Sequence, residues 1–163
     1  MTQATAALIF FLSTCSAFAA ETAWDVLQRF GYTGVWAASC SHPSTPSNFR
    51  TILSKDISGL ARREIERGAG LPIALSFVDG AQMMSPSMLK IRVRNADPNW
   101  GVANNLTHEA LLIKEDDPQT KEIFRIRFLE SIRSDGMVVV KNGILIARGK
   151  PSFWVYKCRS AMS

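Results

Sequence analysis

Two cysteines are the residues of this sequence whose chemistry is best defined. Cys40 lies shortly after Trp36 and Cys158 lies near the C-terminus, so a bridge between them closes about 119 residues. On the chain-entropy model, such a bridge removes unfolded-state entropy worth about 5 kcal/mol. A pair of reactive or metal-binding thiols is the alternative, but the sequence has neither C-x-x-C spacing nor a nearby pair of histidines. We expect a Cys40–Cys158 disulfide, formed in an oxidising compartment.

The remaining polar residues form no catalytic motif. His42 and His108 are isolated in sequence, and neither G-x-S-x-G nor H-E-x-x-H is present. A hydrolytic site needs a nucleophile beside a base that is itself oriented by a third group. Asp116-Asp117-Pro118 is typical of a turn rather than of an acid/base pair. The sequence predicts a protein that is not an enzyme and that has no cofactor and no metal.

Two predicted strands carry cations on the face opposite their apolar residues. Lys90, Arg92 and Arg94 share one face of the first strand, and Arg125 and Arg127 share one face of the second. If the two strands are close, these cations form a basic stripe suited to an acidic partner. The favoured alternative is that they are ordinary solvent faces compensated by nearby glutamates. The formal net charge of +5 is compatible with both interpretations.

The first twenty residues predict export from the cytoplasm. An uninterrupted apolar run at 6–12 precedes Ala17-Phe18-Ala19, which is the pattern of a secretory signal peptide over residues 1–19. An alternative is a lipoprotein signal, with acylation at Cys15. The run is much shorter than the roughly 20 apolar residues of a membrane-spanning helix. We expect a single periplasmic or secreted domain over 20–163, with no membrane span, and an exported location disfavours nucleic acid as a partner.

Local patterns predict a short helix followed by strands. Thr22 and Asp25 have the spacing of a capping box, which predicts a helix that ends before Gly31. Asn142-Gly143 lies between β-branched segments and predicts a tight hairpin over 138–146. The other predicted strands are 72–78, which leads into an Asp79-Gly80 turn, and the segments 88–94, 107–114 and 122–128. Residues 58–68 suit a helix by propensity and a strand by context, and strand is slightly preferred.

These elements predict an all-β fold. The order of strands and turns favours an antiparallel meander that closes into a barrel of about eight strands, with a short N-terminal helix. In such a barrel the first and last strands are neighbours, which would bring the two cysteines together.

The segment Gly34-Val35-Trp36 resembles the G-x-W that opens the first strand of lipocalins. The resemblance implies that Trp36 plugs the closed end of the barrel beneath a basic residue from the end of the chain, for which the candidates are Arg148, Lys157 and Arg159. The chain is also similar to a group of bacterial exported proteins without an assigned activity. The shared features are Trp36-x-x-x-Cys40, Asn99-Trp100-Gly101, Gly149-Lys150-Pro151-Ser152 and a terminal Trp-to-Cys segment.

Two functions are favoured by this sequence, and an enzyme ranks third behind them. The first is an exported, non-enzymatic binding protein that holds a small apolar ligand inside the barrel, as eight-stranded barrels can. The second is a protein-interaction module such as an exported protease inhibitor, in which residues 20–30 insert into the target. A barrel interior filled by side chains would count against the first function, and a helix packed firmly on the barrel would count against the second.

Overall fold

A computed structural model describes residues 21–97, 105–116 and 123–158 of the chain. The described residues form one helix, α1 (Ala23–Phe30), and eleven strands. In chain order the strands are β1 (Gly34–Ala37), β2 (Arg50–Lys55), β3 (Ala61–Glu66), β4 (Ala74–Ser85), β5 (Met88–Asn95), β6 (Thr107–Asp116), β7 (Ile123–Arg133), β8 (Val138–Lys141), β9 (Ile144–Leu145), β10 (Lys150–Pro151) and β11 (Val155–Cys158).

The strands close into an antiparallel barrel. Each strand from β1 to β7 pairs with the next, and β11 lies between β7 and β1. The closed barrel therefore has eight strands, β1–β7 and β11. The hairpin formed by β8 and β9 pairs with the later part of β7, at Ser131 and Ile132, whereas β11 pairs with Arg125 and Ile126. The predicted meander of about eight strands is confirmed.

Alternation along the strands places one set of side chains inside the barrel. In β5, for example, Leu89, Ile91 and Val93 are buried, whereas Lys90 and Arg92 are exposed. This period of two is the pattern expected of strands with one buried and one wet face. The fully buried side chains of the core include Trp36, Leu53, Leu89, Ile91, Leu112 and Ile126.

The helix α1 packs over one end of the barrel. Thr22 and Asp25 form the predicted capping box, and Gly31 ends the helix in the left-handed conformation with φ 88°. The apolar face of α1 is buried against the core and contacts β4. Lys114 Nζ donates to the carbonyl of Phe30 at 3.1 Å, and Lys157 Nζ donates to that of Gly31 at 3.2 Å. Two cations thus satisfy the carbonyl end of the helix, where its dipole is negative.

Most local predictions agree with this structure. The Asn142-Gly143 turn has φ values of 51° and 75°, as a type I′ turn requires, and it joins β8 to β9. Within residues 58–68 the chain forms β3, so the preference for strand is correct. Several predictions fall outside the described residues: the signal peptide at 1–19, most of the Asp97–Gly101 and Asp116–Pro118 turns, Trp100 and Arg159.

The predicted turn at Asp79-Gly80 is wrong. The strand β4 continues through both residues, with a register shift between Val78 and Gly80 that marks a β-bulge. The Asp79 carboxylate accepts hydrogen bonds from Arg94 on β5 at 2.8 and 3.2 Å, which holds the bulge against its neighbour. The chain reverses later, between Ser85 and Met88.

Candidate functional site

A cavity opens inside the barrel, at the end away from α1. Its volume is about 300 Å³. Tyr32, which follows α1, reaches its wall, and the β8–β9 hairpin contributes Val139, Val140 and Leu145. The other lining residues belong to the barrel strands or to the loops next to them: Phe49, Thr51, Arg63, Ile65, Val93, Asn95, His108, Ala110, Ile126, Phe128, Ser131, Ser152, Phe153 and Val155.

One wall of the cavity carries a row of polar side chains. Arg63 on β3 is directly opposite Ser76 on β4, and Ser76 is directly opposite Asn95 on β5. The Asn95 amide nitrogen lies 3.4 Å from Nε2 of His108 on β6. We call Arg63, Ser76, Asn95 and His108 the polar belt. It crosses four neighbouring strands on the inner face of the barrel, and Arg63, Asn95 and His108 are its members that line the cavity.

The opposite wall of the cavity is mostly apolar, with Ser131 of β7 as one polar member. Phe128 of β7, Val140 of β8, Leu145 of β9 and Val155 of β11 lie there. Ser152 also lines this side, and its hydroxyl hydrogen is already donated to the carbonyl of Phe128 at 2.6 Å. The cavity is therefore amphipathic: the nitrogen-bearing side chains of Arg63, Asn95 and His108 line it from β3–β6, and single hydroxyls line it elsewhere.

Of the described residues that line this cavity, Arg63 is the one with a permanent positive charge. Its Nη1 donates to the Ser76 hydroxyl at 3.4 Å, and its Nε is buried without a hydrogen-bond partner. Among the described residues, no carboxylate lies within ion-pair distance of Arg63, and none of those lining the cavity is acidic. The preceding residue, Arg62, does pair with Glu64.

The surroundings of Arg63 perturb two titratable groups. Burial raises the pKa of Tyr32, and the charge and hydrogen bonding of the adjacent Arg63 oppose this rise. Burial, followed by the charges of Arg133 and Arg63, lowers the pKa of His108 below its ordinary value. At neutral pH the cavity therefore holds a protonated tyrosine, a neutral histidine and the charged Arg63.

Trp36 lies at the closed end of the barrel. The ring is fully buried, it contacts Tyr32 edge to face at 5.4 Å, and its Nε1 donates to the carbonyl of Thr33 at 3.3 Å. Lys157 lies directly opposite Trp36 on β11, with its Nζ 5.9 Å from the ring centroid. Gly34, two residues before Trp36, adopts φ 85°, a conformation that favours glycine.

Of the three basic candidates for this position, the structure places Lys157 over the ring. Arg148 is exposed in the loop between β9 and β10, where its backbone nitrogen donates to the carbonyl of Leu145 at 3.1 Å. It takes no part in the closed end. The third candidate, Arg159, lies outside the described residues.

The predicted disulfide is confirmed. Cys40, in the loop after β1, is bonded to Cys158, the last residue of β11, with the two Cα atoms 5.4 Å apart. The bond lies next to the pairing of Val35 with Cys158. It therefore joins the first and last strands at the seam where the barrel closes.

The cations of β5 are largely paired on the outer surface. Lys90 forms an ion pair with Glu109 of β6 at 2.8 Å, and Arg94 forms one with Asp79 of β4 at 2.8 Å. Arg92 lies opposite Glu109 in the strand register. These exposed pairs contribute little to stability, but they reduce the positive potential of this face.

The cations of β7 form a separate group. Arg125 pairs with Glu115 of β6, and the guanidinium carbons of Arg125 and Arg127 each lie 4.6 Å from the centroid of the Trp154 ring. Because β6 and its glutamates separate this group from the cations of β5, the two groups do not form one uninterrupted stripe. Trp154 is half-buried beneath the two arginines, an arrangement that the sequence analysis did not anticipate.

The fold and the cavity define a disulfide-bonded, closed antiparallel β-barrel with an amphipathic interior. Compared with protein-family models, curated proteins and solved structures, the chain gives no significant match. Among the described residues, no helix is both long and apolar enough to cross a membrane. Within the same part of the chain, no cluster of three or more histidine, cysteine or acidic side chains is arranged to hold a metal ion.

Proposed function

We propose that this protein is an exported, lipocalin-like binding protein that holds a small ligand of largely apolar character inside its barrel. The observation that carries the proposal is the cavity of about 300 Å³ at the end of the barrel away from α1. Its size is at the lower end of the range of small-molecule sites, and its lining is mostly apolar with a few polar groups on one side. An interior filled by side chains would have no room for such a ligand.

Export to the periplasm or the cell exterior is part of this proposal. The Cys40–Cys158 bond is of the kind that persists in oxidising compartments. The apolar run and the A-x-A pattern before residue 20 supply a route to such a compartment.

The alternative of an inserting inhibitor receives less support. Insertion requires residues 20–30 to be available to a target, but Val26, Leu27 and Phe30 are buried against the barrel core. Lys114 and Lys157 also hold the C-terminal end of α1. Releasing the segment would expose apolar side chains worth roughly 1.5–3 kcal/mol each.

The proposed site can be tested with the uncharged fluorophore N-phenyl-1-naphthylamine, whose emission rises in apolar surroundings. We expect saturable binding of one equivalent by the purified protein. Val140→Phe should weaken it at least about tenfold, because Val140 is buried and lines the cavity. Val138→Phe is the matched control, since Val138 lies on the same strand but is exposed and does not line the cavity. It should leave binding unchanged.

Failure of the protein to bind the fluorophore would count against an apolar binding site. So would equal affinity of the two phenylalanine variants, because the bound fluorophore would then lie outside the barrel. Thermal unfolding of both variants checks that Val140→Phe remains folded.

A further inference from the structure

We infer that the cavity binds an amphiphile with a single anionic headgroup, a carboxylate, and that Arg63 is its anchoring residue. The inference rests on the proposed function and adds the chemical class of the ligand. It follows from the position of Arg63 in the barrel, from the absence of a counter-charge beside it among the residues that the structure describes, and from the different character of the two cavity walls.

The inward orientation of Arg63 follows from the alternation of side chains along β3. Ala61 and Ile65 face the barrel interior on β3, so the residue midway between them faces the interior too. Its cross-strand neighbours are the buried residues Leu53 and Ser76. A guanidinium at such a site has lost part of its hydration, a loss that proteins ordinarily offset with a carboxylate or a full set of hydrogen bonds.

This compensation is incomplete around Arg63 in the described part of the chain: no carboxylate pairs with it, and its hydrogen bonds are to the Ser76 and Tyr32 hydroxyls. The ion pairs there involve other cations, and the hydrogen bond from Arg63 to Ser76 is long, at 3.4 Å. The buried Nε has no partner. A ligand carboxylate would accept from Nε and a terminal nitrogen together, in the bidentate geometry that suits a guanidinium.

The other groups nearby favour an anion and do not supply a second positive charge. The Tyr32 hydroxyl beside Arg63 can donate a hydrogen bond. His108 is neutral because burial and the neighbouring arginines lower its pKa. Among the described residues that line the cavity, Arg63 is therefore the one permanent cation, which matches a monoanion better than a phosphate dianion.

The opposite wall suits the apolar part of the same molecule. Phe128, Val140, Leu145 and Val155 line it, across the cavity from the polar belt. A volume of about 300 Å³ corresponds to roughly ten water volumes, which is the size of a medium-chain carboxylic acid. The bound ligand would place its headgroup against β3–β6 and its chain against β7–β9 and β11.

The test compares three ligands of equal chain length: octanoate, 1-octanol and octylamine. Each is titrated at pH 7.5 against protein loaded with N-phenyl-1-naphthylamine. We expect octanoate to displace the fluorophore at a concentration at least about tenfold lower than 1-octanol does, because a charge-assisted hydrogen bond is worth this much or more. Octylamine should be the weakest, since its cation would face Arg63.

Substitutions then assign the preference to Arg63. In Arg63→Met the advantage of octanoate over 1-octanol should disappear, while displacement by 1-octanol persists. Arg63→Lys retains the charge without the planar fork and should preserve part of the preference. Arg62→Met is the matched control, because Arg62 is adjacent in sequence, pairs with Glu64 and does not line the cavity. It should behave as the unmodified protein.

The outcomes separate this inference from the proposed function. If 1-octanol and octanoate displace the fluorophore equally well, or Arg63→Met retains the preference for octanoate, the carboxylate inference is overturned and the apolar binding site stands. If the protein binds neither the fluorophore nor any of the three ligands, both are overturned. Because the ligand panel is first applied to the unmodified protein, the inference is tested even if Arg63→Met does not fold.

Discussion

Removal of the disulfide should destabilise this barrel through the unfolded state. Cys40 and Cys158 are separated by 118 positions in sequence, so their bond closes nearly the whole described chain into one loop. For a loop of this length, the chain-entropy relation gives a loss of about 5 kcal/mol at 25 °C when the bond is absent. Measured values for native disulfides in small secreted domains are typically about 2–5 kcal/mol. We expect the double substitution Cys40→Ser, Cys158→Ser to lower the free energy of unfolding by about 3–5 kcal/mol.

The folded barrel should change little in this variant. Next to the bond, β1 and β11 already pair at three consecutive positions: Val35 with Cys158, Trp36 with Lys157, and Ala37 with Tyr156. Burial of Trp36 and the hydrogen bond from Lys157 to Gly31 also hold the seam without a covalent link. The near-UV circular dichroism of the folded protein, to which the buried Trp36 contributes, should therefore be largely retained at low denaturant.

Urea unfolding measures this effect. With a slope of about 2 kcal/mol per molar urea, the expected loss lowers the midpoint by about 1.5–2.5 M. The reduced unmodified protein should unfold near the midpoint of the double variant, and adding reductant to that variant should shift nothing. A loss below about 1 kcal/mol would refute the loop-entropy reasoning. Loss of the near-UV circular dichroism signal before urea is added would show instead that the bond is needed to close the folded barrel.

Two further predictions concern the barrel interior. Leu112→Ala should lower the free energy of unfolding in urea by about 2–5 kcal/mol, because Leu112 is fully buried. Leu111→Ala, on the outer face of the same strand, should lower it much less. Equal losses would contradict the assignment of Leu112 to the inner face of β6. The lowered pKa of His108 means that, below about pH 6.5, the unfolded chain binds a proton that the folded protein does not, so stability should fall as the pH drops from 6.5. His108→Gln should flatten this dependence between pH 5 and 6.5, and an unchanged slope would show that another group causes it.

The parts of the fold that were predictable from sequence are those specified by neighbouring residues. The capping box at Thr22 and Asp25 and the Asn142-Gly143 turn each need only a few consecutive residues, and both are present as expected. The position of the disulfide could also be anticipated, because closing a meander brings its first and last strands together. The error at Asp79-Gly80 has the opposite origin. Those residues favour a turn locally, but pairing with β5 is maintained across them by a bulge.

The cavity was only partly predictable. A barrel of eight strands suggested an interior site, but the sequence analysis did not identify Arg63 as part of it. The segment 61–66 is rich in arginine and glutamate, a composition that suits a helix as well as a strand. The sequence therefore does not reveal that every second residue of this segment faces the barrel interior. Once β3 is known to be a strand, Ala61 and Ile65 mark the inner face and place Arg63 between them. The contribution of the β8–β9 hairpin to the cavity depends on pairing with β7 and could not be read from the hairpin itself.

The division of the barrel into two ends explains how it can accommodate a partly unfilled, polar interior. The largest fully buried side chains, among them Phe30 and Trp36, lie toward the end covered by α1, and the disulfide holds the seam beside it. The polar belt and the cavity lie toward the other end, where an arginine with few partners and unfilled volume both reduce stability. Because burial and the covalent link supply stability elsewhere, the cavity end can retain features that favour binding over packing. Substitutions near α1 should thus act mainly on unfolding, and those at Arg63 mainly on ligand affinity.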